Sequence, residues 1–273
     1  MAANVDTGCD MTEEEILAML KGISVKRQEA RDVDAVTASA TDNAGTRAAA
    51  VDAADDGDAP AAGGDETRLV AKFLARNPEK HAINQYWYSP ATISCLVGEV
   101  VDACDALDAA ESDKPAAATA PATPAPAALG AALVSTPSVY FSLPAKARAR
   151  CKVLDLDEQW AADPGFVRYD FNEPEAVPDD CKGAFSLVVI DPPFITREVW
   201  AQYARTARLL LAPGGRLLCT TIAENAPMMA ELLDVRPTAF LPSIPHLVYQ
   251  YNVYANYESE RLACPNDEIP GCE

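Results

Sequence analysis

Phe185-Ser186-Leu187-Val188-Val189-Ile190-Asp191-Pro192-Pro193-Phe194 is the stretch on which the fold turns. Phe185 to Ile190 is apolar except for one serine, as expected of a strand buried on both faces at the centre of a parallel sheet. Asp191 ends the run abruptly. Ligands of such sheets bind beyond the carboxyl ends of the strands, so this carboxylate stands where chemistry takes place. Pro192 and Pro193 then fix φ and remove two N–H donors, which leaves an exposed carbonyl at Pro192 and a rigid platform for the Phe194 ring. The competing reading is a plain turn, because aspartate and proline are common turn residues. The buried strand ahead of the turn favours a site.

Working outward, further apolar runs of strand length are predicted at 131–135, 152–156, 166–171, 215–221, 238–241 and 247–256. The segments 198–211 and 225–233 between them have helical spacing. Strands alternating with helices predict a doubly wound α/β fold with a mostly parallel sheet. Only the Pro242 to His246 turn region separates the last two strands, which suits an antiparallel last strand. Seven strands of this kind make a Rossmann-like methyltransferase sheet. Ahead of it, 67–74 and 90–107 are predicted helical, with Ile93, Leu96, Val97, Val100, Val101 and Cys104 recurring at intervals of three and four.

The catalytic domain is expected over 67–262. Residues 1–66 form an extension: a helix over 11–29, then an alanine- and aspartate-rich stretch with almost no large apolar side chain, which cannot offset the entropy of ordering. A second low-complexity stretch, 109–128, carries Pro115, Pro121, Pro124 and Pro126 among alanines and reads as a surface insertion. Residues 263–273 are assigned to a tail.

Twenty-two basic residues face 41 acidic ones, a formal charge of −19, and 17 against 26 remain from Arg68 onward. That balance repels a polyanion and favours a basic protein partner. Eight cysteines include no CxxC pair, and with two histidines a zinc site is not expected. The absence of a signal peptide and of a long apolar span predicts a soluble, cytoplasmic protein with no membrane contact.

Methyl transfer to nitrogen needs the amine lone pair aimed at the methyl carbon. The Asp191 carboxylate and Pro192 carbonyl can accept its N–H bonds, and Phe194 can lie against a flat base or a lysine head. The segment after the first predicted strand, Ser135-Thr136-Pro137-Ser138-Val139-Tyr140, lacks GxGxxG, which argues against a dinucleotide but not against S-adenosylmethionine. Asp155, or else Asp157, ends the second strand where a ribose diol needs an acceptor, with a solvated strand end as the equal alternative. Asp170-Phe171-Asn172 can bracket an adenine or form a simple turn. Gln85-Tyr86-Trp87-Tyr88-Ser89 precedes a helix with Ser89 as N-cap and Pro90 at its first position. Its rings are read either as a lid over the amine or as a core plug.

Taken in order, Gln85-Tyr86-Trp87-Tyr88-Ser89, Pro137-Ser138-Val139-Tyr140, Asp155-Leu156-Asp157, Tyr169-Asp170-Phe171-Asn172, Asp191-Pro192-Pro193-Phe194 and Tyr254-Ala255-Asn256-Tyr257 resemble the eukaryotic elongation factor 1-alpha lysine methyltransferase family, formerly described as adenine N6-specific DNA methyltransferase-like. The resemblance runs from about Leu74 to Leu262 and departs from the commoner pattern at Tyr86, Asp155, Phe194 and the insertion. It implies S-adenosylmethionine as cofactor, a lysine of elongation factor 1-alpha as substrate, and the Asp191 tetrapeptide at the reacting nitrogen. Two other functions use the same features. One is an adenine N6 methyltransferase on DNA or RNA, which the acidic balance disfavours; the other is a non-catalytic interaction protein, which the intact tetrapeptide disfavours.

Overall fold

The computed structural model describes residues 64–81, 84–112 and 129–269. The helix expected over 11–29, and positions 113–128 of the insertion, lie outside these residues. Helix α1 (Gly64–Arg76) begins ahead of the expected Thr67. Asp65 and Glu66, read in the sequence as the end of a structureless stretch, form its first turn, where carboxylates favour the helix dipole. Helix α2 (Pro90–Ser112) likewise passes its expected end at Leu107 and takes in the first four residues of the expected insertion. Alanine is the best helix former, and the first proline comes only at Pro115. Ser89 caps this helix through Thr92 N–H donating to its Oγ at 3.2 Å, with Pro90 in the first turn.

Seven strands follow: β1 (Leu129–Val134), β2 (Lys152–Asp155), β3 (Phe166–Arg168), β4 (Phe185–Ile190), β5 (Leu211–Ile222), β6 (Arg236–Pro237) and β7 (Tyr251–Ala255). They lie in the order β3-β2-β1-β4-β5-β7-β6. Neighbours from β3 to β5 pair in parallel, and β7 inserts antiparallel between β5 and β6. This is the seven-stranded, mostly parallel Rossmann-like sheet anticipated from the alternating pattern. Leu187 and Val189 of β4 join one core cluster with Ile93, Leu96 and Val100 of α2. Val188 and Ile190 are equally buried and, by strand alternation, face the other side. Helix α5 (Arg197–Leu210) contacts β4 and buries Trp200, Tyr203 and Ala207. Two one-turn helices, α3 (Pro137–Tyr140) and α4 (Ala145–Arg148), lie between β1 and β2, and α6 (Ala226–Leu233) follows β5.

The strand expected over 238–241 forms instead at Arg236–Pro237, and the last strand is shorter than the expected 247–256, with residues 238–250 as the connection. Pro242 and Pro245 cannot donate to a ladder. The connection is held instead by Ser89 N–H to the Ser243 carbonyl (2.8 Å), Ser243 N–H to Thr92 Oγ1 (2.9 Å) and His246 Nδ1 against Glu79 Oε2 (2.7 Å). Residues 263–269, assigned to a tail, pack against the domain: Asn266 Nδ2 donates to the Leu241 carbonyl at 2.8 Å, and Ser89 Oγ donates to Glu268.

Candidate active site

The Asp191 N–H donates to the Val134 carbonyl at 3.2 Å, so the β1–β4 pairing continues one residue past β4 and presents Asp191 at the carboxyl edge. On the other side, Ile190 pairs with Cys219 of β5. The next residue, Thr220, donates from Oγ1 to Asp191 Oδ1 at 2.8 Å. The Tyr88 hydroxyl lies 2.7 Å from Thr220 Oγ1, the hydroxyl that donates to Asp191, and favours the ionised carboxylate. Desolvation dominates the carboxyl and pushes its pKa up to about 6, while the bonds from Tyr88 and Thr220 pull it back down. Burial, then the Asp191 charge, pushes the Tyr88 phenol well above its ordinary value. Tyr251, paired with Ile222, is pushed up by the same two causes.

Of the remaining tetrapeptide, Pro192 is buried, while Pro193 and Phe194 keep partial exposure. Asn84, in the left-handed conformation at φ 55°, donates from Nδ2 to the Pro193 carbonyl, not to that of Pro192. The 84–89 segment is thereby brought to the tetrapeptide, and the choice between lid and plug divides residue by residue. Trp87 is a plug: its ring packs edge-on to Phe73 at 5.1 Å, its Nε1 donates to the Asn77 carbonyl at 2.7 Å, and its backbone N–H donates to Glu79. Tyr88 is buried beneath Asp191, and Ser89 is committed to the helix cap. Tyr86 keeps partial exposure beside His81, and Gln85 carries a buried Oε1 with no hydrogen-bond partner.

The neighbouring strand ends carry the other candidates. Ser135 ends β1 in the left-handed conformation, φ 58°, a turn usually left to glycine, and its hydroxyl lies 2.8 Å from that of Tyr203. The next hydroxyl, Thr136 Oγ1, is buried without a hydrogen-bond partner. Pro137 and Ser138 are buried in α3. Asp155, largely buried at the end of β2, accepts the Asp157 N–H at 2.7 Å. Asp157 itself caps a short 3₁₀ turn through Gln159 and pairs with Lys80 at 2.6 Å. Asp157 is thus engaged by Gln159 and Lys80, while Asp155 holds the backbone at the end of β2. Asp170 folds back on Asn172, accepting its N–H at 2.9 Å and its Nδ2 at 2.8 Å, which is the simple turn considered for this segment. Phe171 stacks on Tyr203 with centroids 5.9 Å apart.

The sequence does not single out Thr220 or Tyr203, and it offers Asn84 only as part of the 84–89 segment and Tyr251 as packing beside Tyr249. Tyr203 and Trp200 sit on one face of an amphipathic helix, a pattern that signals core. Thr220 lies in a strand where a threonine is unremarkable. The one available signal was register: a strand parallel to β4 must carry some residue level with Asp191.

The profile of the family described as "Probable N6-adenine methyltransferase" matches residues 79–259, which contain every strand and the Asp191 tetrapeptide. A zebrafish (Danio rerio) protein named EEF1A lysine methyltransferase 1 is 31% identical over 191 residues, covering 66% of this chain and 100% of that protein. The Bos taurus protein of the same name is 31% identical, with 66% of this chain and 72% of that protein covered. A Saccharomyces cerevisiae protein-lysine N-methyltransferase, EFM5, is 25% identical, with 66% and 73% covered. Matches of this extent, laid over a sheet that carries Asp191-Pro192-Pro193-Phe194 at its carboxyl edge, place the chain in the elongation factor 1-alpha lysine methyltransferase family.

Proposed function

We propose that this chain is an S-adenosylmethionine-dependent protein-lysine N-methyltransferase acting on elongation factor 1-alpha. The observation that carries the reading is the enclosed Asp191 carboxylate, held by Thr220 and Tyr88 at the carboxyl edge of the sheet in a chain of this family. The β1 and β2 ends fit S-adenosylmethionine. Ser135 makes the tight turn without glycine, the orphaned Thr136 hydroxyl offers a polar contact, and Asp155 supplies the acceptor a ribose diol needs. When bound, that cofactor supplies an electrophilic methyl group on a sulfonium.

Asp191 accepts one N–H of a neutral amine and the Pro192 carbonyl a second, so the lone pair is aimed before attack. A lysine with pKa near 10.4 must first lose a proton, which costs about 4 to 5 kcal/mol at pH 7. Enclosure lowers that cost, and the Asp191 charge partly restores it. Asp191 therefore serves to orient, and with its pKa near 6 it is mostly ionised at neutral pH. Tyr88 and Tyr251, pushed upward by burial, are poor proton acceptors, which leaves water to take the proton.

The basic side chains on segments flanking the site are engaged by carboxylates, Lys80 with Asp157 and Arg197 with Glu231. A nucleic-acid enzyme needs such groups for phosphates. The test is purified elongation factor 1-alpha incubated with this protein and methyl-labelled cofactor, alongside a lysate treated with nucleases. Label on a lysine peptide of the factor, persisting after nuclease treatment, supports the reading. Label confined to nucleic acid overturns it.

A further inference from the structure

Resting on that function, we propose that Tyr88 and Thr220 are positioning residues whose hydroxyl protons converge on Asp191 and hold it as an ionised, singly oriented acceptor for the substrate amine. A hydroxyl has one proton to give. Thr220 spends its own on Asp191 Oδ1 at 2.8 Å. Tyr88, 2.7 Å from Thr220 Oγ1, then donates either to that oxygen or to the carboxylate, and in both cases the polarity runs toward Asp191. Neither donor has much freedom to turn away. Tyr88 and Thr220 are both buried, the first fixed between Trp87 and the Ser89 cap, the second paired in β5 between β4 and β7. One carboxylate oxygen is thus committed to the protein, and the rotation of the group is fixed for the other.

The arrangement offsets a conflict. Desolvation drives Asp191 toward its neutral form, which donates where it should accept, and the two hydroxyls oppose that drive. The other titratable groups that sense the Asp191 charge are Tyr251 of β7, Cys219 of β5 and Tyr203 of α5, all pushed upward chiefly by burial. None of them ionises between about pH 5 and 8, given ordinary values near 8.5 for cysteine and 10 for tyrosine and the upward direction of each shift.

The experiment is the pH dependence of single-turnover methyl transfer at saturating cofactor for the wild type, Tyr88→Phe, Thr220→Val and Thr220→Ser. Loss of a proton from the lysine makes the rate rise about tenfold per pH unit throughout, and loss of a proton from Asp191 adds a second tenfold below its pKa. The profile of the wild type therefore breaks near pH 6. Tyr88→Phe and Thr220→Val are expected to move the break upward by about one unit, with the rate down roughly twofold at pH 7 and roughly tenfold at pH 5, and cofactor affinity unchanged. Thr220→Ser, which keeps the donor, is expected to restore the original break. An unmoved break in both variants overturns the inference, as does a break moved equally by Thr220→Ser. Should a variant fail to fold, ¹³C NMR titration of the Asp191 carboxyl in the others reads the same shift. Failure of the underlying function looks different: the wild type itself would then put no methyl label on a lysine of the substrate protein at any pH, and there would be no break to read.

Discussion

Asp191 combines partial enclosure with a charge, and its effect on stability follows from the direction of its shift. Its folded pKa, about 6, lies above the ordinary 3.8, so the native state holds the proton more tightly than the unfolded chain. Stability therefore falls as pH rises from about 4 to 6, and above that the ionised carboxylate costs on the order of a few kcal/mol. Asp191→Asn removes the charge while its carbonyl still accepts from Thr220. This variant is expected to melt several degrees higher than the wild type at pH 8, by roughly 5 °C, and to lose the advantage at pH 4. Methyl transfer is expected to drop at least about a hundredfold, since the orienting charge acts at the reacting nitrogen. Calorimetry at the two pH values checks the first claim; a variant that melts lower at pH 8 shows that Asp191 contributes structure and not strain. Ser135 shows the same use of an unfavourable local state, a non-glycine residue at φ 58° where β1 ends.

Among the elements, α2 packs its buried face against the sheet, and it is secured at mid-length and at its N-terminus. Glu99 on its buried face accepts from Tyr257 Oη at 2.9 Å, Ser259 Oγ at 2.5 Å and Arg261 at 2.9 Å, which ties the chain after β7 to the helix. Arg261 also reaches Asp102 at 2.9 Å. Only 2% of Glu99 is exposed, so breaking the pair leaves a buried charge with two hydroxyls alone. Arg261→Met is expected to cost about 3 kcal/mol by denaturant titration and to speed hydrogen exchange over 257–263. A change under about 0.5 kcal/mol would mean that the hydroxyls suffice. At the N-terminus of the helix, Ser89→Ala is expected to cost about 1 kcal/mol through the lost cap. The cap was legible in the sequence, as Ser-Pro ahead of a helical pattern, whereas the Glu99 hub was not, because its partners lie about 160 residues away. The same division holds throughout the fold. β4 and Asp191 were readable because an apolar run with an abrupt polar end is a local signal. The lengths of β6 and β7 were not, since tertiary bonds to Ser89, Thr92 and Glu79 decide where the 238–250 connection leaves the sheet. Thr220 and Tyr88 meet Asp191 only through register and packing, which no window of the sequence contains.

For the whole molecule the governing quantity is charge, −19 in all, with five carboxylates and no basic residue between Asp170 and Asp180. That acidic connection follows β3, whose carboxyl end lies on the edge that presents Asp191. A surface of one sign attracts a basic partner over roughly a Debye length, about 10 Å at 0.1 M salt, and the attraction falls as salt rises. Binding of a basic protein substrate should therefore weaken with ionic strength, while the transfer step, enclosed at Asp191, should not. Raising salt from about 0.05 to about 0.3 M is expected to increase KM for the protein substrate several-fold and to leave kcat within about twofold. Heparin and duplex DNA are then expected to inhibit only by sequestering the basic substrate, so excess substrate relieves them fully. The opposite behaviour, a short lysine peptide and the whole substrate protein responding identically to salt, would place recognition in the pocket alone and deny the acidic surface any part in it. Charge reversal at Glu173 and Glu175 separates these outcomes: Glu173→Lys with Glu175→Lys should raise KM for the protein and flatten its salt dependence without moving the rate on the peptide.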